Sequence, residues 1–152
     1  MRARFVVPVA VVIAGVVVAG CGGGDSSSTT ALSKSDFLAQ GNAICAKGDK
    51  EINAAAGKVF TQSQAPSQAT QQKFVTDTVV PNIQGQIDAI DALPPPSVDE
   101  DQVNAIVNAA QSALDKVKAD PSLITEQSKG DPFAQANKVA NSYGLTKCGS
   151  GG

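Results

Sequence analysis

The sequence predicts an all-α protein: a compact bundle of about four antiparallel helices that follows a signal peptide and a flexible linker. Beyond position 32, apolar residues recur at spacings of three and four, the period of an amphipathic helix, with little of the alternation typical of strands. The connections between these stretches are mostly short, which favours antiparallel neighbours. The chain has 152 residues with 42% hydrophobic and 17% charged content, which suits one soluble domain with appendages.

The first predicted helix begins at Ser35–Phe37, with Ser33 or Ser35 as its N-cap. This helix contains three glycines, each of which costs about 1 kcal/mol in a helix relative to alanine. Close packing of a neighbouring helix is one explanation for these glycines, and a hinge is the other. They are Gly41, Gly48 and Gly57.

The second predicted helix runs from about Ser67 or Thr70 to Leu93, where three consecutive prolines end it. Pro81 lies inside this helix and removes one backbone donor, so we expect a kink there. The apolar stripe repeats every three or four residues, at Val75, Val79, Ile83, Ile87 and Ile90.

The third predicted helix opens with a capping box, in which Ser97 is the N-cap and Glu100 occupies the N3 position. The three acids at 99–101 suit the positive end of a helix dipole. A calcium site is the alternative, but an EF-hand loop spaces its acids around a central glycine, and this run does not. The helix stops at Asp120–Pro121, after a stripe formed by Val103, Ile106, Val107, Ala110, Leu114 and Val117.

The fourth predicted helix starts at Asp131 as N-cap and Pro132 as N1. Gly144 in the C′ position, followed by Leu145, predicts a Schellman ending. The long connection at 119–131 is the best place for a contact surface, because long loops often carry binding residues. The stripe of this helix consists of Phe133, Ala136, Val139, Ala140 and Tyr143.

The first 20 residues have the layout of an export signal. Arg2 and Arg4 form a short positive region, an apolar stretch follows at 5–18, and the small residues Ala19 and Gly20 precede Cys21. A permanent membrane span needs about 20 apolar residues. Only sixteen positions separate the last arginine from Cys21, and a proline interrupts them, so cleavage is favoured over an uncleaved anchor.

The residues Val18-Ala19-Gly20-Cys21 resemble a bacterial lipobox, although a leucine is usual where this chain has Val18. The resemblance implies a lipoprotein signal peptide at 1–20 and a thioether link between Cys21 and diacylglycerol. The lipid would hold the protein at the outer face of the cytoplasmic membrane. Residues 21–31 would then be a flexible Gly/Ser-rich tether ahead of a helical domain at 32–149. Ordinary secretion after Ala19, with Cys21 a free thiol, is the alternative.

The three cysteines of the chain are Cys21, Cys45 and Cys148. An odd number in an exported protein leaves one thiol unpaired. If Cys21 carries lipid, Cys45 and Cys148 form one disulfide that fixes the C-terminal tail to the first helix. A redox-active pair is the alternative, but the two cysteines lack the C-x-x-C spacing typical of such pairs.

Two segments near the ends of the domain carry a closer resemblance: SKSDFLAQGNAIC at 33–45 and YGLTKCG at 143–149. They resemble a group of small actinobacterial lipoproteins that has no established activity. The resemblance implies an exported helical domain with paired end cysteines, and it implies nothing about chemistry.

The absence of histidine removes Ser-His-Asp and Cys-His triads and every His-containing metal site. No nucleophile-elbow, P-loop or metal-ligand motif is present, so we expect no catalytic residues, no metal and no cofactor. A net charge of −2 with scattered lysines argues against nucleic acid as a partner. The sequence therefore favours a non-enzymatic lipid-anchored module that binds an unidentified partner in the cell envelope. The alternative is a carrier of an apolar small molecule or lipid in a cleft between helices.

Overall fold

The computed structural model describes residues 30–60 and 66–150, which form helices joined by turns, with no strand among them. The helices are α1 (Lys34–Val59), α2 (Gln68–Phe74), α3 (Val80–Asp91), α4 (Glu100–Ala119), α5 (Ser122–Thr125) and α6 (Ala134–Tyr143). A π-helical turn spans Val75–Val79, and a 3-10 turn spans Gln127–Lys129. The all-α prediction is confirmed. The predicted signal peptide, the lipobox with Cys21 and nearly all of the linker lie outside the described residues.

The first helix begins with a side-chain cap and contains two close contacts at glycine. The Ser33 hydroxyl accepts a hydrogen bond from the Asp36 backbone N–H at 3.1 Å, which confirms Ser33 as the N-cap. A Cβ on Gly41 would lie 2.6 Å from Leu145 Cδ2, and one on Gly48 would collide with the Gln86 amide. Close packing therefore explains both of these glycines. A Cβ on Gly57 would meet nothing within 4 Å, so packing does not explain that one.

The helix predicted over 67–93 is one continuous helical run in which a π turn separates α2 from α3. The Ser67 hydroxyl caps its start by accepting from the Thr70 N–H at 3.2 Å. The Val80 N–H donates to the Val75 carbonyl, five residues back, which is the π pattern. Pro81 comes immediately afterwards and lacks the N–H that would continue the α pattern. At Pro81, where the sequence predicts a kink, the structure has this wider helical turn just ahead of the proline.

The predicted capping box at the start of α4 is wrong. The helix begins at Glu100 itself, while 97–99 form a turn closed by a 2.9 Å bond from the Asp99 N–H to the Pro96 carbonyl. Asp99 is the N-cap residue, but its side chain makes no capping bond. Instead, this carboxylate accepts a 3.0 Å hydrogen bond from the Tyr143 hydroxyl. The tertiary contact places the turn and delays the helix by two residues.

The predicted start of α6 is also wrong, although its predicted end is confirmed. Asp131 Oδ1 accepts from the Phe133 N–H at 2.8 Å, so Asp131 shapes a turn and α6 begins only at Ala134. At the other end, Gly144 adopts a left-handed conformation with φ 113°. The Leu145 N–H donates to the Ala140 carbonyl at 2.9 Å, which is the Schellman bond.

The helices pack as a series in which α1 contacts α3, α3 contacts α4, and α4 contacts α6. The series is joined back to α1 through the segment that follows α6. Asn42 on α1 donates to the Gly144 carbonyl at 3.1 Å and accepts from the Lys147 N–H at 2.8 Å. The Cys45 and Cys148 sulfurs lie at disulfide distance, with their Cα atoms 5.1 Å apart. These contacts link the first half of α1 to the C-terminal end of α6 and the segment that follows it.

The buried core consists of two separate clusters. The disulfide-end cluster comprises Phe37, Cys45, Ile90, Val103, Ile106, Ala140, Tyr143 and Leu145. The π-turn cluster is built on Val75, Val79 and Val117, with Ile52, Phe74, Ile83 and Phe133 packed against them. The two clusters occupy opposite ends of the domain along α1, because Phe37 and Ile52 belong to different ones.

Candidate binding cavity

A cavity of about 600 Å³ lies among α1, α3, α4 and α6. It occupies the gap between α1 and α6, which are joined mainly through the segment that follows α6. This volume falls within the range of roughly 300–1,000 Å³ that is usual for small-molecule sites. Most of its lining is apolar, including Ile52, Phe74, Ile83, Ile87, Ile106 and Phe133.

The cavity lies between the two clusters of the core. Residues of both clusters line it: Ile106 and Ala140 belong to the disulfide-end cluster, and Ile52 and Val79 belong to the π-turn cluster. Ile87 is only 6% exposed, lines the cavity and belongs to neither cluster. An apolar occupant would therefore contact both clusters and make the core continuous.

Small residues on α4 and α6 leave this space open. Ala110, Ala136 and Ala140 line one side of the cavity, where larger side chains would reach toward α1 and α3. The predicted core stripe of α4 is confirmed at Val103, Ile106, Leu114 and Val117, which are buried. Its two other members, Val107 and Ala110, are only half-buried and face the cavity.

The disulfide forms part of the cavity wall. Cys45 is 3% exposed and Cys148 is half-buried, and both line the cavity. The structure thus brings together the two cysteines whose pairing the sequence predicts. The bond holds the C-terminal segment against α1 and so closes one end of the gap between α1 and α6.

Five polar side chains complete the lining: Asp49, Asn53, Gln86, Asp131 and Asn137. Several of them are already engaged with other protein groups. The Asn137 amide donates to Asp131 Oδ2 at 3.1 Å, and the Gln86 amide donates to Asn82 Oδ1 at 2.8 Å.

Asp49 is the partly buried polar lining residue without a hydrogen-bond partner among the described side chains; Asn53 also lacks one, but it is exposed. Within the described part of the chain, no side chain forms an ion pair or hydrogen bond with its carboxylate. It is partly buried, and this burial raises the pKa of Asp49, while the more distant charge of Lys147 acts in the opposite direction. The cavity therefore has an acceptor group that is partly removed from water and lacks a protein donor.

A second polar cluster lies in the connection at 119–131, where the sequence favours a contact surface. Ser122 is 5% exposed, and its hydroxyl donates to Asp120 and accepts from Lys129. The hydrogen bonds from Ser122 and Lys129 lower the pKa of Asp120. Lys129 also pairs with Glu126 at 3.6 Å. These ion pairs and hydrogen bonds tie Lys129 to the start of the connection and so order it.

The third cluster joins the start of α1, the 97–99 turn and the end of α6. Lys34 pairs with Asp99 at 3.2 Å and lies 4.3 Å from the centre of the Tyr143 ring. The Tyr143 hydroxyl donates to Asp99, and burial together with this carboxylate raises the pKa of Tyr143 to about 12. The Phe37 ring packs edge-on against Tyr143 with centroids 6.1 Å apart. This cluster closes the end of the domain nearest the disulfide.

Sequence reasoning identified the cysteine pair but missed the cavity residues. Within residues 30–60 and 66–150, no three His, Cys, Asp or Glu side chains converge as metal ligands would. None of the helices formed by these residues combines the length and apolarity needed to cross a membrane.

No protein-family profile matches the chain, and no curated protein or solved structure matches it either.

Proposed function

We propose that the protein is a lipid-anchored binding protein of the cell envelope whose helical domain holds an apolar small molecule in the cavity. The observation that carries this proposal is the cavity of about 600 Å³ with its apolar lining between two core clusters. An apolar molecule placed there gains roughly 25 cal/mol for each Å² of its surface that leaves water.

The cavity supports the carrier, the alternative in the sequence analysis, over the module that binds an envelope partner, which the sequence favours. The exposed large apolar side chains of the described residues are Phe60, Val98 and Ile124, which belong to three different segments. Ile124 also lines the cavity. The cavity, by contrast, collects its apolar residues in one place.

The binding proposal is tested by obstructing the cavity. Ala110→Phe places an aromatic ring in the lining, while Ala105→Phe makes the same change at an exposed position of the same helix. Native mass spectrometry of the purified mature protein should show a co-purified small molecule in the wild type and in Ala105→Phe. We expect its occupancy to fall at least about tenfold in Ala110→Phe, a change worth about 1.4 kcal/mol. Equal occupancy in both variants would contradict the proposal.

The anchoring part of the proposal rests on the lipobox resemblance and has its own test. Cys21→Ser removes the thiol that would receive diacylglycerol. We expect the wild type to fractionate with membranes and to have an acylated N-terminal cysteine by mass spectrometry. The variant should lose both properties. A variant that stays membrane-bound with its first 20 residues intact would instead identify an uncleaved anchor.

A further inference from the structure

We propose that the ligand of the cavity is an amphiphile with an apolar body and one protonated amine, and that Asp49 binds the amine. The inference rests on the proposed function, because it assigns the polar end of the molecule that the cavity would hold. It is carried by the charges of the lining and by the missing partner of one carboxylate.

The charged side chains among the lining residues are all acidic. Asp49 on α1 and Asp131 ahead of α6 are carboxylates, and no lysine or arginine belongs to the described lining. A ligand with its own carboxylate would place like charges together in a partly desolvated site, which is unfavourable. A cationic group gains Coulomb energy in the same position.

The two carboxylates are not equivalent as binding groups. Asp131 already accepts hydrogen bonds from the Phe133 backbone N–H and from the Asn137 amide. Asp49 accepts none from the described side chains, although it is partly buried beside apolar Cys45 and Ile52. A desolvated carboxylate without a donor costs free energy that a bound donor recovers. Asp49 is therefore the group that a ligand satisfies.

An ammonium suits this position better than a neutral hydroxyl does. A hydrogen bond that joins two opposite charges is shorter and about twice as strong as a neutral one. Most of the remaining lining is apolar, so a ligand with one amine at the end of an apolar chain can place the amine at Asp49 and the chain against the apolar side chains. Lys147 acts on Asp49 from a longer distance and is not part of the lining.

The experiment compares octylamine, octan-1-ol and octanoate as competitors of an apolar fluorescent probe bound to the purified mature protein. Each ligand is measured against the wild type, Asp49→Asn and Asp91→Asn. The Asp91 variant loses the same charge at an exposed site outside the lining. A lipid-anchored protein is purified in detergent, and each ligand partitions partly into that detergent. The partitioning is the same for the wild type and the variants, so it cancels when the affinities of one ligand for the wild type and a variant are divided.

We expect Asp49→Asn to weaken octylamine roughly tenfold, in line with the energy of a charged hydrogen bond. The affinity for octan-1-ol should change less than twofold, octanoate should bind the variant more tightly, and Asp91→Asn should behave as the wild type. An equal loss for amine and alcohol, or no loss for the amine, overturns the amine assignment while leaving cavity binding intact. If none of the three ligands displaces the probe from the wild type, the proposed function itself fails.

Discussion

The disulfide between Cys45 and Cys148 should supply a large part of the stability of the domain. It closes a loop with a sequence separation of 103 residues. The chain-entropy relation assigns about 4.7 kcal/mol to a loop of this length, through the restriction of the unfolded chain. Because single domains are stable by only about 5–15 kcal/mol, loss of the bond should remove a third of the total or more.

The perturbation is the double variant Cys45→Ala/Cys148→Ala, compared with the wild type in the presence and absence of a reductant. Alanine is chosen because Cys45 is 3% exposed, and a serine hydroxyl would be buried there. We expect urea unfolding of the reduced wild type to give a free energy lower by about 4–5 kcal/mol. The melting temperature should fall by roughly 15–20 °C for a domain of this size.

Two controls make the result specific to the bond. The double variant should not respond to the reductant, and its unfolding midpoint should lie close to that of the reduced wild type. Peptide mapping after alkylation without reduction should recover Cys45 linked to Cys148. Two alkylated thiols at these positions, or identical midpoints with and without reductant, would refute the reasoning.

Two further predictions concern Tyr143 and the glycines of α1. The raised pKa of Tyr143 means that its contribution is complete below pH 10 and is lost as the pH rises toward about 12. In urea titrations the wild type should therefore lose at most about 3 kcal/mol more than Tyr143→Phe over that interval, at about 1.4 kcal/mol per pKa unit; parallel losses would contradict this. Gly57→Ala should raise the free energy of unfolding by about 0.5–1 kcal/mol, because its Cβ meets nothing within 4 Å. Gly41→Ala should lower it by about 1–3 kcal/mol, because the added Cβ would force the fully buried Leu145 side chain to shift within a packed core; changes of equal sign would show that packing does not distinguish the two sites.

The helices could be predicted because their periodicity and several of their ends are local properties of the chain. Ser33 can cap the start of a helix because its hydroxyl accepts a backbone hydrogen bond. Gly144 can end a helix because glycine readily adopts positive φ. A proline inside a helix, such as Pro81, likewise predicts an interrupted hydrogen-bond pattern, because it has no backbone N–H. Its form, a π turn, depends on the packing of Val75 and Val79 and could not be read locally.

The failures occur where a distant residue decides the local structure. Ser97 and Glu100 match a capping box, but Asp99 is engaged by Tyr143, which is 44 residues away in sequence. The cavity is a second example, because it depends on how far α1 and α6 diverge beyond their common end. The position of Ala110 in the apolar stripe is the same whether its side chain packs in the core or lines a cavity. Only the tertiary structure shows that it lines the cavity.

Hydrogen bonds hold both terminal segments of the described domain. The Leu32 N–H donates to the Pro94 carbonyl at 3.3 Å just ahead of α1, and Gly149 accepts from the Asn141 side chain at 2.8 Å beside the end of α6. A pulling force on a tether ahead of residue 30 would therefore enter α1 only a few turns from Cys45. The covalent bond would pass that force directly to the C-terminal segment, and the π-turn cluster at the other end would lie outside the path of mechanical tension.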